Sequence, residues 1–168
     1  MFKKHLKNKK GYTLVELVVY LSLFCLLSLT LVRITVTGYN VYKVVRINRD
    51  FTENGILAID RISREVRNAT SVSGSSVLNS SPGSLVLVNS TGTVTFDVNN
   101  NQLRLTETKN NNTTTANLTG GVISVSSLVF YNFSTSQGQF VKTVLTLKHN
   151  PTGRTENFYV TNLLRGVY

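Results

Sequence analysis

One carboxylate stands where carboxylates are costly. Glu16 is the single charged residue in the run from Tyr12 to Val32, YTLVELVVYLSLFCLLSLTLV. An acidic side chain at the centre of a bilayer costs about 2.5–3.5 kcal/mol, and less near the interface. A plain membrane anchor gains nothing from that cost. Glu16 is therefore a candidate functional group in need of a cationic partner. The plainer alternative is that its side chain reaches back to the headgroups and pairs with the lysines that precede it. Other chemistry-bearing residues are sparse. Cys25 is the only cysteine, so an intramolecular disulfide is impossible, and inside an apolar run it reads as a small packing residue. His5 lies among N-terminal lysines, and His149 stands alone before the turn His149-Asn150-Pro151-Thr152-Gly153. No Cys/His cluster has zinc spacing, and phosphate loops, nucleophile elbows and paired catalytic carboxylates are lacking. The Asn-rich loops offer oxygen atoms, but with too few carboxylates for a calcium site. No catalytic residue, cofactor or metal is expected. Triplets such as Asn68-Ala69-Thr70 are expected by chance in a chain this rich in Asn, Ser and Thr.

The element that carries Glu16 is an apolar segment long enough to cross a membrane. As a helix, Tyr12 to Val32 spans about 32 Å, against a hydrocarbon core of about 30 Å. No polar face is available in it, which argues against a helix buried in a soluble domain. Lys3, Lys4, Lys7, Lys9 and Lys10 precede it and Arg33 ends it. The lysine-rich side should stay in the cytoplasm and send the C-terminal bulk outward. Those five lysines account for half of the formal net charge of +10. The basicity is thus a local feature of the N-terminus, not the footprint of a nucleic-acid-binding domain. A conventional secretory signal is the competing reading, with Val36-Thr37-Gly38 as a loose cleavage site, although its apolar core is normally shorter.

The stretch Lys9-Lys10-Gly11-Tyr12-Thr13-Leu14-Val15-Glu16-Leu17 resembles the class III signal of type IV pilins and pseudopilins. The resemblance rests on the basic leader, the glycine, the Thr-Leu-x-Glu segment and the apolar run. It implies cleavage by a prepilin peptidase between Gly11 and Tyr12, N-methylation of Tyr12, and a glutamate as the fifth mature residue. It also implies that Glu16 pairs with the new amine of a neighbouring subunit and sets axial register. Lys9 and Lys10 supply the leader charge. Two departures are visible. The first mature residue is tyrosine where the family most often has phenylalanine. The helix-breaking proline that many major pilins carry near the end of the run is missing, since the prolines are Pro82 and Pro151. The second departure favours a minor pilin or pseudopilin over a main building block.

Beyond the span, residues 33–70 are expected to continue as a helix. Val41, Val44 and Val45, then Ile56, Ile59, Ile62, Val66 and Ala69, recur at spacings near three and four. Asp60 and Arg64 form an i,i+4 pair of favourable order. Gly38 and Gly55 each cost about 1 kcal/mol relative to alanine, so a bend or fraying is expected there. After Ser71 the composition turns to Ser, Thr, Asn, Gly and Val. Strands are expected at 84–88, 93–98, 102–106, 128–133, 141–147 and 158–163, with Asn99-Asn100-Asn101 as a hairpin turn. Asn110 to Thr115, NNNTTT, reads as a polar loop, and Asp97 as a solvated strand position.

The expected fold class is α+β. It resembles the pilin fold, a long N-terminal helix whose first half spans the membrane and whose outer half packs on a small antiparallel β-sheet. The expected division is a leader over 1–11, a membrane or filament-core helix over 12–33, an amphipathic outer helix over 34–72 and a β-sheet head over 73–168. The Ile59-to-Arg67 run, the Leu118-to-Phe133 stretch and the Asn162-to-Arg165 ending look similar to larger minor pseudopilins. The resemblance implies a structural subunit of a type IV pilus, or of a type II secretion or competence pseudopilus, with prepilin peptidase, other pilins and membrane lipid as partners. The alternative is a permanently anchored single-span protein with an extracytoplasmic ligand-binding β-domain. DNA is a further partner to weigh, through Lys142, Lys148, Arg154 and Arg165 if they gather on one edge. Scattered solubility charges are the preferred reading of those four.

Overall fold

The computed structural model describes residues 11–135 and 138–164. One helix and eight strands follow in chain order: α1 (Leu14–Asn68), β1 (Ser71–Val72), β2 (Leu85–Asn89), β3 (Gly92–Asn99), β4 (Gln102–Lys109), β5 (Asn112–Asn117), β6 (Ile123–Thr135), β7 (Gly138–His149) and β8 (Thr155–Leu163). The chain divides into two compact units, Met1–Val45 and Arg46–Tyr168.

In the first unit, the described residues from Leu14 onward are helical and none is buried. An 18-residue window in α1 reaches a mean hydropathy of 2.3, which makes the helix long and apolar enough to cross a membrane. Between Leu14 and Val32 its exposed surface is mostly Leu, Val, Phe and Tyr side chains. In water such a surface would be strongly unfavourable, at about 25 cal/mol per Å² of exposed apolar area.

The second unit has a core built around one face of α1. Phe51, Gly55, Ala58, Ile62, Glu65 and Val66 are buried at spacings of three and four. Ile56 and Leu57, by contrast, are 58% and 57% exposed. The inward stripe therefore passes through Phe51 and Ala58 and leaves out the expected Ile56. Gly38 and Gly55 do not interrupt the helix. Gly55 has a packing reason: a methyl group there would meet the Phe158 ring at 2.2 Å. The absent side chain lets β8 approach the helix closely.

The strands form two antiparallel sheets rather than the single one expected. One runs β1-β2-β3-β4-β5, the other β6-β7-β8. Alternation puts Leu85, Leu87, Val94, Phe96, Leu103 and Leu105 inward from the first sheet. In β6 a register shift between Val125 and Ser127 changes the parity, so that Ile123 and Val125, then Leu128 and Phe130, all point inward. The sheets are joined through loop backbone: Val125 N donates to Asn101 O at 2.7 Å, Gly83 N to Leu128 O at 2.8 Å and Asn79 N to Phe130 O at 2.9 Å. The result is an α+β pilin fold, a long N-terminal helix packed against antiparallel sheets.

The NNNTTT stretch is not a loop. Asn110 and Asn111 have φ of 50° and 62° and form the two-residue turn between β4 and β5, and Asn112–Asn117 pairs with β4 as an edge strand. All six of its residues are exposed, so no apolar alternation marks it. Asn100 and Asn101, at 49° and 60°, make the corresponding turn between β3 and β4. Asparagine tolerates this left-handed region better than most residues.

Candidate processing and assembly site at the N-terminal helix

The helix starts one turn before Glu16, and its start is chemically defined. Gly11, Tyr12 and Thr13 precede it as exposed, non-helical backbone. Thr13 is the N-cap: its Oγ1 accepts a hydrogen bond from Glu16 N at 3.3 Å, and its carbonyl accepts from Leu17 N at 3.2 Å. Thr13-Leu14-Val15-Glu16 thus has the sequence of a capping box with Glu16 at the third helical position. A carboxylate there is also favoured by the positive end of the helix dipole.

The Glu16 side chain does not turn back to its own N-cap. Tyr20, one turn further on, donates its hydroxyl to Glu16 Oε1 at 3.0 Å. The Tyr20 ring lies edge-on to the Tyr12 ring, with centroids 6.5 Å apart and planes at 78°. Tyr12, Leu17 and Tyr20 line an open recess of about 290 Å³. Tyr12, Thr13, Glu16 and Tyr20 therefore form one local cluster, stabilised by the cap, the ring contact and the carboxylate–hydroxyl bond. The sequence points to Tyr12, Glu16 and the Thr13 of the Thr-Leu-x-Glu segment, but not to the capping role of Thr13 or to Tyr20. The T-x-x-E pattern and the i,i+4 spacing of Glu16 and Tyr20 were the available signals.

Gly11 and Tyr12 are both exposed, and among the described residues no heavy atom beyond the chain neighbours lies within 4 Å of an ideal Cβ at Gly11. Lys9 and Lys10 lie outside the described residues. Cys25 is exposed on the same apolar helix surface.

Elsewhere, the residues weighed for other chemistry have structural partners. Asp97 is an outward, partly exposed strand position, and it is paired: Arg104 Nε donates to its Oδ1 at 2.9 Å across the β3–β4 pair. His149 does not stand alone. Its Nδ1 is 2.8 Å from Thr152 Oγ1, its Nε2 is 3.9 Å from Asp50 Oδ2, and its ring packs against Phe51. Lys142 and Lys148 lie six residues apart on β7, about 20 Å along the strand. Arg154 donates to Asn48 Oδ1 at 2.7 Å and lies over the Phe51 ring, and Arg165 is outside the described residues. The three described cations do not form a single patch. Among the described residues, no group of three or more His, Cys, Asp or Glu side chains could hold a metal ion.

Residues 6–32 match a family model described as the prokaryotic N-terminal methylation motif. The match covers Lys7, Lys9 and Lys10 of the basic segment, Gly11, Tyr12, Glu16 and the apolar run, and the chain is type IV pilin-like on this ground. No curated protein and no solved structure matches the chain.

Proposed function

We propose that this chain is a non-enzymatic filament subunit, a minor pilin or pseudopilin, that is cut between Gly11 and Tyr12 by a prepilin peptidase and N-methylated at Tyr12. The observation that carries the reading is the methylation motif laid over a single buried-cost carboxylate, Glu16, at the head of an apolar helix. The accessible, non-helical Gly11–Thr13 backbone supports it, because a peptidase needs an extended strand of substrate to close on. Residues 1–11 act as the leader, 12–33 as the membrane and then filament-core helix, 34–72 as the outer helix followed by the short strand β1, and 73–168 as the rest of the head. Before assembly the subunit sits in the cytoplasmic membrane with its N-terminus inside and its head outside. Assembly packs the apolar helices of neighbouring pilins together, and the Tyr12 amine of one subunit meets Glu16 of another. A buried carboxylate becomes tolerable when a cation pairs with it, and the pairing holds only in one register. Pilus, type II secretion and competence filaments all accommodate such a subunit, and genomic neighbours would distinguish them.

The mass of the N-terminal peptide, recovered from membranes of the protein's own cell, tests this. A peptide beginning at Tyr12, with or without a methyl group, is the expected result. A peptide still beginning at Met1 would leave a permanently anchored protein with a ligand-binding head. One beginning after Gly38 would mean a conventional secreted domain.

A further inference from the structure

A lone subunit in the bilayer carries Glu16 before any neighbour's amine reaches it. Lipid tails offer no hydrogen-bond donor, so the carboxylate is held by its own chain, reaches back to the headgroups or bears the full cost of desolvation. Among the described residues, Tyr20 is the one hydrogen-bond partner of the Glu16 side chain, through Oε1 at 3.0 Å. The contact is built on both sides. Thr13 fixes the Glu16 backbone at the third helical position. The Tyr12 ring meets the Tyr20 ring edge-on at 6.5 Å.

We propose that Tyr20 is a positioning residue for Glu16: its hydroxyl holds Oε1 in the unassembled subunit and leaves Oε2 for the amine of the arriving neighbour. This rests on the filament reading above. Tyrosine suits the task because it brings a donor on a mostly apolar body, which a bilayer tolerates better than a lysine. A lysine at this position would neutralise Glu16 within the subunit and compete with the incoming amine. A neutral hydroxyl does neither. Its bond to a carboxylate is weaker than that of an ammonium group, so it holds Oε1 without keeping the amine from Oε2. The aromatic residue at position 12 then has two tasks, bearing the amine and bracing the Tyr20 ring.

The test is infrared spectroscopy of the full-length protein as recovered from membranes of its own cell, labelled with carboxyl-¹³C glutamate, in vesicles of phosphatidylethanolamine and phosphatidylglycerol. A Glu16→Gln difference spectrum identifies the Glu16 band. Tyr20→Phe keeps the ring and its packing on Tyr12 and removes only the hydroxyl. The expected result is a shift of the Glu16 band in Tyr20→Phe, with the other glutamate bands unmoved. A Tyr20→Leu variant should shift the band equally, since it also lacks the hydroxyl. A Glu16 band identical in the wild type and Tyr20→Phe would overturn the proposal whatever the fate of the filament reading. The N-terminal peptide mass is read from the same preparation. A shifted band on a protein that still begins at Met1 would overturn the filament reading, and with it the waiting role of Tyr20, while leaving the hydrogen bond itself.

Discussion

At the scale of single residues, Glu16 carries the sharpest expectation. Glu16→Ala removes the cost of the carboxylate, so the variant should enter the membrane at least as well as the wild type. It should nevertheless be lost from sheared or purified filaments, as measured by immunoblot of filament and membrane fractions. Normal recovery in filaments would sink the register argument. Glu107 gives a pH test in the head. A hydrogen bond from Lys109 holds its carboxyl below the ordinary value of 4.5, helped by the charges of Arg61 and Lys109 and opposed by burial. The folded carboxylate thus binds a proton less readily than the unfolded one. Its contribution to stability is complete above 4.5 and is lost as pH falls through the lower folded value. Denaturant midpoints of wild type and Glu107→Gln should therefore differ at neutral pH and converge in acid. The Arg61 guanidinium, which reaches both Glu65 and Glu107, ties α1 to β4 through this group. The two glycines of α1 supply a paired test. Gly55→Ala forces a methyl group into the Phe158 ring. Overpacking costs about 1–3 kcal/mol and helix propensity returns about 1 kcal/mol. A net loss of up to about 2 kcal/mol in urea unfolding is expected. Gly38→Ala meets nothing within 4 Å and should be neutral or raise helix content by circular dichroism.

At the scale of elements, helix and sheet are held by different rules. The inward face of α1 is set by contact with the sheets, and only part of the apolar periodicity points that way. Ile62, Val66 and Ala69 are buried as their spacing implies, whereas Val41, Val44 and Val45 are exposed in the first unit. Valine repeats look alike in sequence whether they face a β-sheet or a lipid tail. The Asn100-Asn101 and Asn110-Asn111 turns hold the β3–β4 and β4–β5 registers by their left-handed backbones. Asn101→Val places a β-branched residue at φ 60° and should lower stability by about 1–2 kcal/mol. Asn101→Gly should be neutral or slightly stabilising. Thermal unfolding midpoints of the two variants check the pair. The strand β5 escaped sequence reading because its threonines are exposed on both faces, and an edge strand with no buried face leaves no period of two.

At the scale of the whole molecule, every buried hydrophobic side chain among the described residues falls between Phe51 and Leu164. The unit Arg46–Tyr168 therefore holds its own core and should fold without the apolar segment. Expressed alone, it is expected to be soluble and to unfold in one cooperative thermal transition. Aggregation or a gradual transition would show that the head needs the membrane-proximal helix. Removing residues 1–45 should also abolish filament incorporation, since Glu16 and the apolar helix go with them.

Several features were legible before any coordinates, each for a local physical reason. The membrane-length run and the methylation motif that overlaps it are contiguous, so no folding is needed to bring them together. The Asp60–Arg64 pair, observed at 2.7 Å, follows from the helical repeat alone. The hairpin turn within Asn99-Asn100-Asn101, which narrows to Asn100-Asn101, and the six expected strand cores follow from backbone sterics and alternation. What the tertiary structure decided lies in contacts between residues far apart in the chain. It split the strands into two sheets, because the β6 register shift and the loop bonds at Asn79, Gly83 and Asn101 close one sheet against the other. Gly55 became a contact point because Phe158, a hundred residues later, needs its space. Asp97 and His149 found partners only when β4 and α1 came beside them. Periodicity identifies which residues can be buried, but the partner that buries them is chosen by the fold.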